Sequence, residues 1–113
     1  MICIMIIAVL KIFPFDENFD DVLDVLLSVK GPVLAEPGCL TSCIYKELGE
    51  VPGLLYIEQW RSLPELERHI KSSSYARILA AMELSARTPE SSFYETGETW
   101  HFELVERMRG SYS

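Results

Sequence analysis

An α+β fold, with helices packed on one face of an antiparallel sheet, is what the sequence predicts, and three observations predict it. Extended and helical hydrophobic patterns follow one another in the order β-α-β-β-α-β. Turn signals built from proline and glycine separate them, as at Glu36-Pro37-Gly38 and Val51-Pro52-Gly53. The length of 113 residues, with 49% apolar and 24% charged side chains, suffices for one core and leaves no room for a second catalytic domain. We therefore expect one domain over residues 1–113.

The first strand is expected from Ile2 to Phe13, where unbroken Ile and Val imply burial on both faces. Met1 to Leu10 lacks a basic leader region and a small-residue cleavage site, and it is too short to span a bilayer, so a membrane is not an expected partner. Asp16-Glu17-Asn18 supplies caps and first-turn acids for a helix marked by Phe19, Val22, Leu23, Leu26 and Val29, expected to end near Gly31-Pro32. Strands at Cys39–Leu48 and Leu54–Arg61 then read as a hairpin.

Ser62-Leu63-Pro64-Glu65 has the form of a capping box and opens a short helix. A longer helix follows the Ser72-Ser73-Ser74 break, with Tyr75, Ile78, Leu79 and Met82 on one stripe, running to about Arg87. From Ser92 to Met108 the chain is expected to be extended again, bent at Gly97-Glu98, with Thr99, His101 and Glu103 on one side.

This order is that of the split β-α-β, ferredoxin-like arrangement, which leaves one sheet face uncovered. An apolar face of that kind is natural cover for a second copy, so a homodimer through the sheet face is expected. Ten basic against seventeen acidic residues give a net charge of −7, the wrong sign for a nucleic-acid partner. Three cysteines, none in a C-x-x-C pair, fit a reducing cytoplasm, and Cys39 and Cys43 stand too far apart along one strand to bridge. Both are expected to be buried.

Three segments carry a family resemblance: Glu36-Pro-Gly-Cys-Leu-Thr-Ser-Cys-Ile-Tyr45, Gly53-Leu-Leu-Tyr-Ile-Glu-Gln-Trp-Arg-Ser62 and Leu66-Glu-Arg-His-Ile-Lys-Ser-Ser-Ser-Tyr75. In order and spacing they resemble the antibiotic biosynthesis monooxygenase (ABM) superfamily, whose pattern runs E-P-G-C, a hairpin, E-x-W-x-S and L-x-x-H-x-x-S-x-x-[FY]. The resemblance covers about Ile4 to Val105 and implies a dimeric α/β barrel. It also implies a cofactor-free monooxygenase acting on a small aromatic or quinol, in which a deprotonated substrate passes an electron to O2. No cofactor or metal is required by that scheme. A non-catalytic, ligand-binding dimer of the same fold is the alternative.

The haem-degrading branch looks for an asparagine on the first strand and a histidine within the long helix. Here the only asparagine is Asn18 and that helix has no histidine, so haem cleavage is not expected.

Trp60 matches the family's end-of-strand tryptophan, where it either walls a ligand pocket or closes the core; Tyr56 and Glu58 share its strand face. His69 matches the family's histidine and is a candidate proton carrier, as is His101; each could equally be an ordinary solvated side chain. Tyr75 could hydrogen-bond a ligand oxygen or serve as a helix knob, and Arg61 and Arg77 could steady an oxyanion or lie on the surface. Glu58 reads as a second base or, more simply, as one end of an inter-subunit ion pair. A histidine facing the pocket near Tyr75 would favour oxidation; exposed histidines and a pocket of Leu, Ile and Phe alone would favour plain binding.

Overall fold

The computed structural model describes residues 4–110. Strands β1 (Ile6–Ile12), β2 (Cys39–Glu47), β3 (Gly53–Trp60) and β4 (Glu90–Glu95) form one antiparallel sheet in the order β2-β3-β1-β4. Helices α1 (Phe19–Leu34), α2 (Leu63–Ile70) and α3 (Ser73–Met82) complete the ferredoxin-like β-α-β-β-α-β order, with the second helical segment broken in two, and a further helix, α4 (Phe102–Arg109), follows β4. The expected fold class is the observed one.

Period-two alternation decides which side chains meet the helices. Ile6, Leu10 and Ile12 of β1 and Leu54, Tyr56 and Trp60 of β3 are buried against Val22, Leu26, Val29 and Val33 of α1 and Ile78 and Ala81 of α3. Each of the four α1 side chains is fully enclosed, a burial that contributes about 1.5–3 kcal/mol apiece. The opposite face carries Ile7 and Val9 of β1, Leu55 and Ile57 of β3 and Cys43 of β2, all half-buried, with Tyr45 and Tyr94 exposed at its sides. Within the single chain β1 is therefore closed on one face only, and not on both. Cys39 and Cys43 are free thiols and only half-buried, whereas full burial was expected; Cys3 lies outside the described residues.

Several boundaries differ from the sequence reading. Helix α1 runs through Gly31-Pro32 to Leu34, because proline in the last turn forfeits few hydrogen bonds while Val33 gains complete burial. Helix α3 ends at Met82; Tyr75, Ile78 and Met82 of the expected stripe face the core and Ala81 joins them, while Leu79 is about half exposed. The largest correction is at the end of the chain. The strand stops at Glu95, and residues 102–109 are helical where extended structure was expected. Glu103 in the first turn and Arg107 and Arg109 in the last complement the helix dipole, a signal that the apolar alternation masked. Helix α4 buries no residue. The radius of gyration of 16.5 Å exceeds the ~13 Å of a compact chain of this length, in keeping with a terminal segment that stands off the body.

Candidate functional site

The turn between α1 and β2, the end of β3 and helix α2 converge at one end of the helix-covered face. Gly38, at φ +87°, makes the turn tight; a Cβ there would strike the Glu65 carboxylate. Its carbonyl accepts the Arg61 amide at 2.8 Å, locking the Glu36-Pro37-Gly38 turn to the end of β3. Ser62 caps α2 by accepting the Glu65 amide at 3.4 Å, as its Ser-x-x-Glu setting predicts, and Ser72, in the Ser72-Ser73-Ser74 break, caps α3 by accepting the Tyr75 amide at 3.2 Å.

These fixtures bring His69 between two carboxylates. Its side chain is 1% exposed. Nδ1 lies 3.0 Å from Glu36 Oε2 and 3.2 Å from Oε1; carboxylate oxygens only accept, so Nδ1 donates. Nε2 lies 3.2 Å from Glu58 Oε2, at ion-pair distance but off hydrogen-bond alignment, and both atoms are buried without a hydrogen-bond partner among the described residues. Glu58 Oε1 accepts the Trp60 indole N–H at 2.9 Å. The Trp60 and His69 rings stack at 4.6 Å between centroids, and the Tyr75 ring meets His69 edge-on at 5.3 Å. Beside them Tyr56 and Ser42 share a buried hydrogen bond of 2.7 Å.

Burial by itself drives the His69 pKa down; the nearby Glu58 and Glu36 carboxylates outweigh it, and the net direction is up. Burial and the Glu58 charge push the Tyr75 phenol upward, and burial does the same to Tyr56. The Cys39 thiol is pushed up to about 11, first by burial and then by Glu58 and Glu36, which leaves it protonated at neutral pH.

Of the residues singled out from sequence, Trp60, His69, Tyr75 and Tyr56 are thus brought together. His101 is not: it is exposed and stands at the N-cap position of α4 with no side-chain capping bond, and not on the expected strand. Arg61 points outward, 67% exposed, in a paired contact with Glu65 at 2.6 Å and 3.0 Å. Arg77 reaches Ser28 at 2.6 Å on the surface. Glu58 is no partner-facing residue, since it is enclosed on the helix side and engaged within its own chain. Sequence reasoning passed over Glu36, although it heads the E-P-G-C motif, because its value depends on α2 arriving 33 residues later.

Next to this cluster a cavity of about 340 Å³ opens between α2 and the β1/β4 half of the sheet, lined by Ile6, Leu63, Leu66, Ile70, Phe93 and Glu95. It adjoins the cluster in two ways. Leu66 and Ile70 flank His69 on α2, and Ile6 stands opposite Trp60 in the register of β1 and β3. One polar group, Glu95, joins an otherwise apolar wall, so the lining takes a ring-sized apolar body. Among the described residues no group of three or more His, Cys, Asp or Glu side chains is arranged to hold a metal ion.

The family model for antibiotic biosynthesis monooxygenases matches residues 5–81. The chain belongs to this family. The match spans β1 to α3 and stops short of β4, a narrower reach than the Ile4–Val105 resemblance. No curated protein sequence matches the chain at a significant level. Among solved structures, a conserved protein from Methanosarcina mazei is similar at 25% identity and TM-score 0.74, over 81% of this chain and 92% of that one. A Deinococcus radiodurans protein described as a candidate antibiotic biosynthesis monooxygenase superposes at TM-score 0.76 and 21% identity, over 85% and 96% of the two chains. A Shewanella oneidensis protein does so at 0.77 and 14%, over 88% and 98%. The last two likenesses establish shared fold alone.

Proposed function

We propose that this ABM-family protein is a cofactor-independent monooxygenase that oxidises a small aromatic or quinol-type substrate with O2. The observation that carries the reading is the apolar 340 Å³ cavity lying against a buried Trp60–His69–Glu58 cluster. The cavity binds the ring and the cluster handles the proton, with His69 as the histidine involved and Trp60, Tyr75 and Tyr56 around it. For an anthrone-like substrate the bookkeeping closes without a further reactant. A CH2 carbon loses two hydrogens, one oxygen of O2 becomes the carbonyl, and the other leaves as water.

The working unit in this reading is a homodimer joined through the open sheet face, where Ile7, Val9, Leu55, Ile57 and Cys43 form the apolar patch. Cytoplasmic residence belongs to the same proposal. No helix of the described residues is long and apolar enough to cross a membrane.

Oxygen-electrode assays with hydroquinones and anthrone test the activity. Wild type is expected to consume O2, and Trp60→Phe and His69→Ala to slow it at least tenfold; uptake unchanged from wild type in both variants removes the site assignment. A second reading, ligand binding without turnover, has one observation in its favour: His69 is enclosed and does not itself line the cavity. Saturable binding of aromatics with no O2 uptake would select it.

A further inference from the structure

The core holds two groups that contradict its packing economy. Enclosing a carboxylate is costly unless its lone pairs are met, and shape-matched apolar residues would hold the same elements together at least as well. Glu58 is buried, yet only Oε1 has a donor, from Trp60. Oε2 has none in hydrogen-bond alignment among the described residues, and neither does its neighbour His69 Nε2 at 3.2 Å. An unmet acceptor and an unmet imidazole nitrogen side by side are what a single hydroxyl group satisfies: its O–H donates to the carboxylate, and its oxygen accepts from the imidazole N–H.

The sheet register gives that hydroxyl a route. On the helix-covered face Glu58 stands opposite Ala8, and Ala8 stands opposite Phe93, a wall of the cavity. Along β1 the next residue on this face is Ile6, also in the wall. At roughly 4.8 Å between strands, Glu58 lies about two strand spacings from Phe93, with the small side chain of Ala8 at the register position between them. A ring seated against Phe93 and Leu66 projects a substituent over Ala8 toward Glu58.

We propose that Glu58 Oε2 and His69 Nε2 together bind the ionisable hydroxyl of an aromatic substrate, with Glu58 as the base that takes its proton. The O–H bond breaks, the proton passes to Oε2, and the electron pair stays on the substrate oxygen, delocalised into the ring. Trp60 fixes the carboxylate through Oε1, and Glu36, whose side chain is 21% exposed, holds the imidazole by Nδ1 as a positioning residue. This rests on the aromatic-substrate reading above but makes a separate demand, namely recognition of the hydroxyl.

The test pairs hydroquinone with 1,4-dimethoxybenzene, the same ring with both hydroxyls masked, in calorimetric binding to the full chain under nitrogen. Wild type and the exposed control Glu67→Gln are expected to bind hydroquinone at least tenfold tighter than the ether, and Glu58→Gln to reduce that preference below threefold. In wild type carrying 15N-labelled histidine, hydroquinone should move the His69 Nε2 resonance and the ether should not. Equal affinity of wild type for both compounds, or an unmoved Nε2 resonance, overturns the proposal even if Glu58→Gln does not fold. Discrimination retained without O2 uptake upholds the hydroxyl site and sinks the monooxygenase; O2 uptake without discrimination does the reverse.

Discussion

The two faces of the sheet are built from alternate residues of the same strands, yet their chemistry is inverted. On the covered face β3 presents Tyr56 and Glu58 beside Trp60, and α2 adds His69, so ionisable groups lie where water is absent. On the open face β3 presents Leu55 and Ile57 beside Ile7 and Val9 of β1, so aliphatic groups lie half-buried where no helix of the described residues covers them. A fold selected only for monomer stability would have the reverse arrangement. Each face is left energetically incomplete, one calling for a polar ligand atom and the other for an apolar surface.

Substitutions that complete or damage one face at a time sharpen this contrast. The largest effect is expected for His69→Ala, which leaves Glu58 enclosed without its imidazole neighbour and removes the Trp60 stack; chemical unfolding should report a loss of about 3–5 kcal/mol. On the other face Ile57→Asp should leave the fold intact and weaken self-association ~30-fold or more, as for a residue contributing about 2 kcal/mol at an interface centre. Sedimentation should give a dimer for wild type and a 12.9 kDa monomer for the variant at equal concentration. A wild-type monomer would remove the open face from the argument.

Tyr56→Phe strands the Ser42 hydroxyl in the core and should cost about 1–1.5 kcal/mol, measured by the same unfolding curves.

A smaller effect is expected from pH. The groups facing His69 are Glu36 from the α1–β2 turn, Glu58 and Trp60 from β3 and Tyr75 from α3. Its folded pKa is raised above the ordinary value of 6.5, so its stabilising contribution is fully present below that pH and declines as pH rises through the folded value. Wild type should therefore lose stability from about pH 6.5 upward, with a steeper slope than His69→Gln. Identical slopes would mean that the imidazole gains nothing from its carboxylates. Arg61→Ala should change neither stability nor hydroquinone affinity measurably, because the guanidinium is exposed and engaged only with Glu65.

Much of the covered face was legible one residue at a time. Trp60, Tyr56 and Glu58 follow from strand period, and the Ser62 and Ser72 positions mark where the helices that carry His69 and Tyr75 begin. The missed parts share a cause. Glu36 acquires meaning only from His69, and the cavity only from Phe93 and Leu66, which are distant in sequence. The strand expected around His101 is absent: Trp100, Phe102 and Leu104 alternate like a strand, while the helix dipole complement of Glu103, Arg107 and Arg109 outweighs that short pattern.

By itself, then, the sequence determined the order of elements from β1 to β4, the shared face of Tyr56, Glu58 and Trp60 on β3 and the family to which the chain belongs, because hydrophobic period, caps and turn residues act over a few neighbouring positions. Tertiary structure alone decided that one of two histidines is enclosed between carboxylates and the other lies in solvent. Burial and charge proximity are set by segments that meet only after folding, and no local pattern encodes a 3.2 Å approach between β3 and α2.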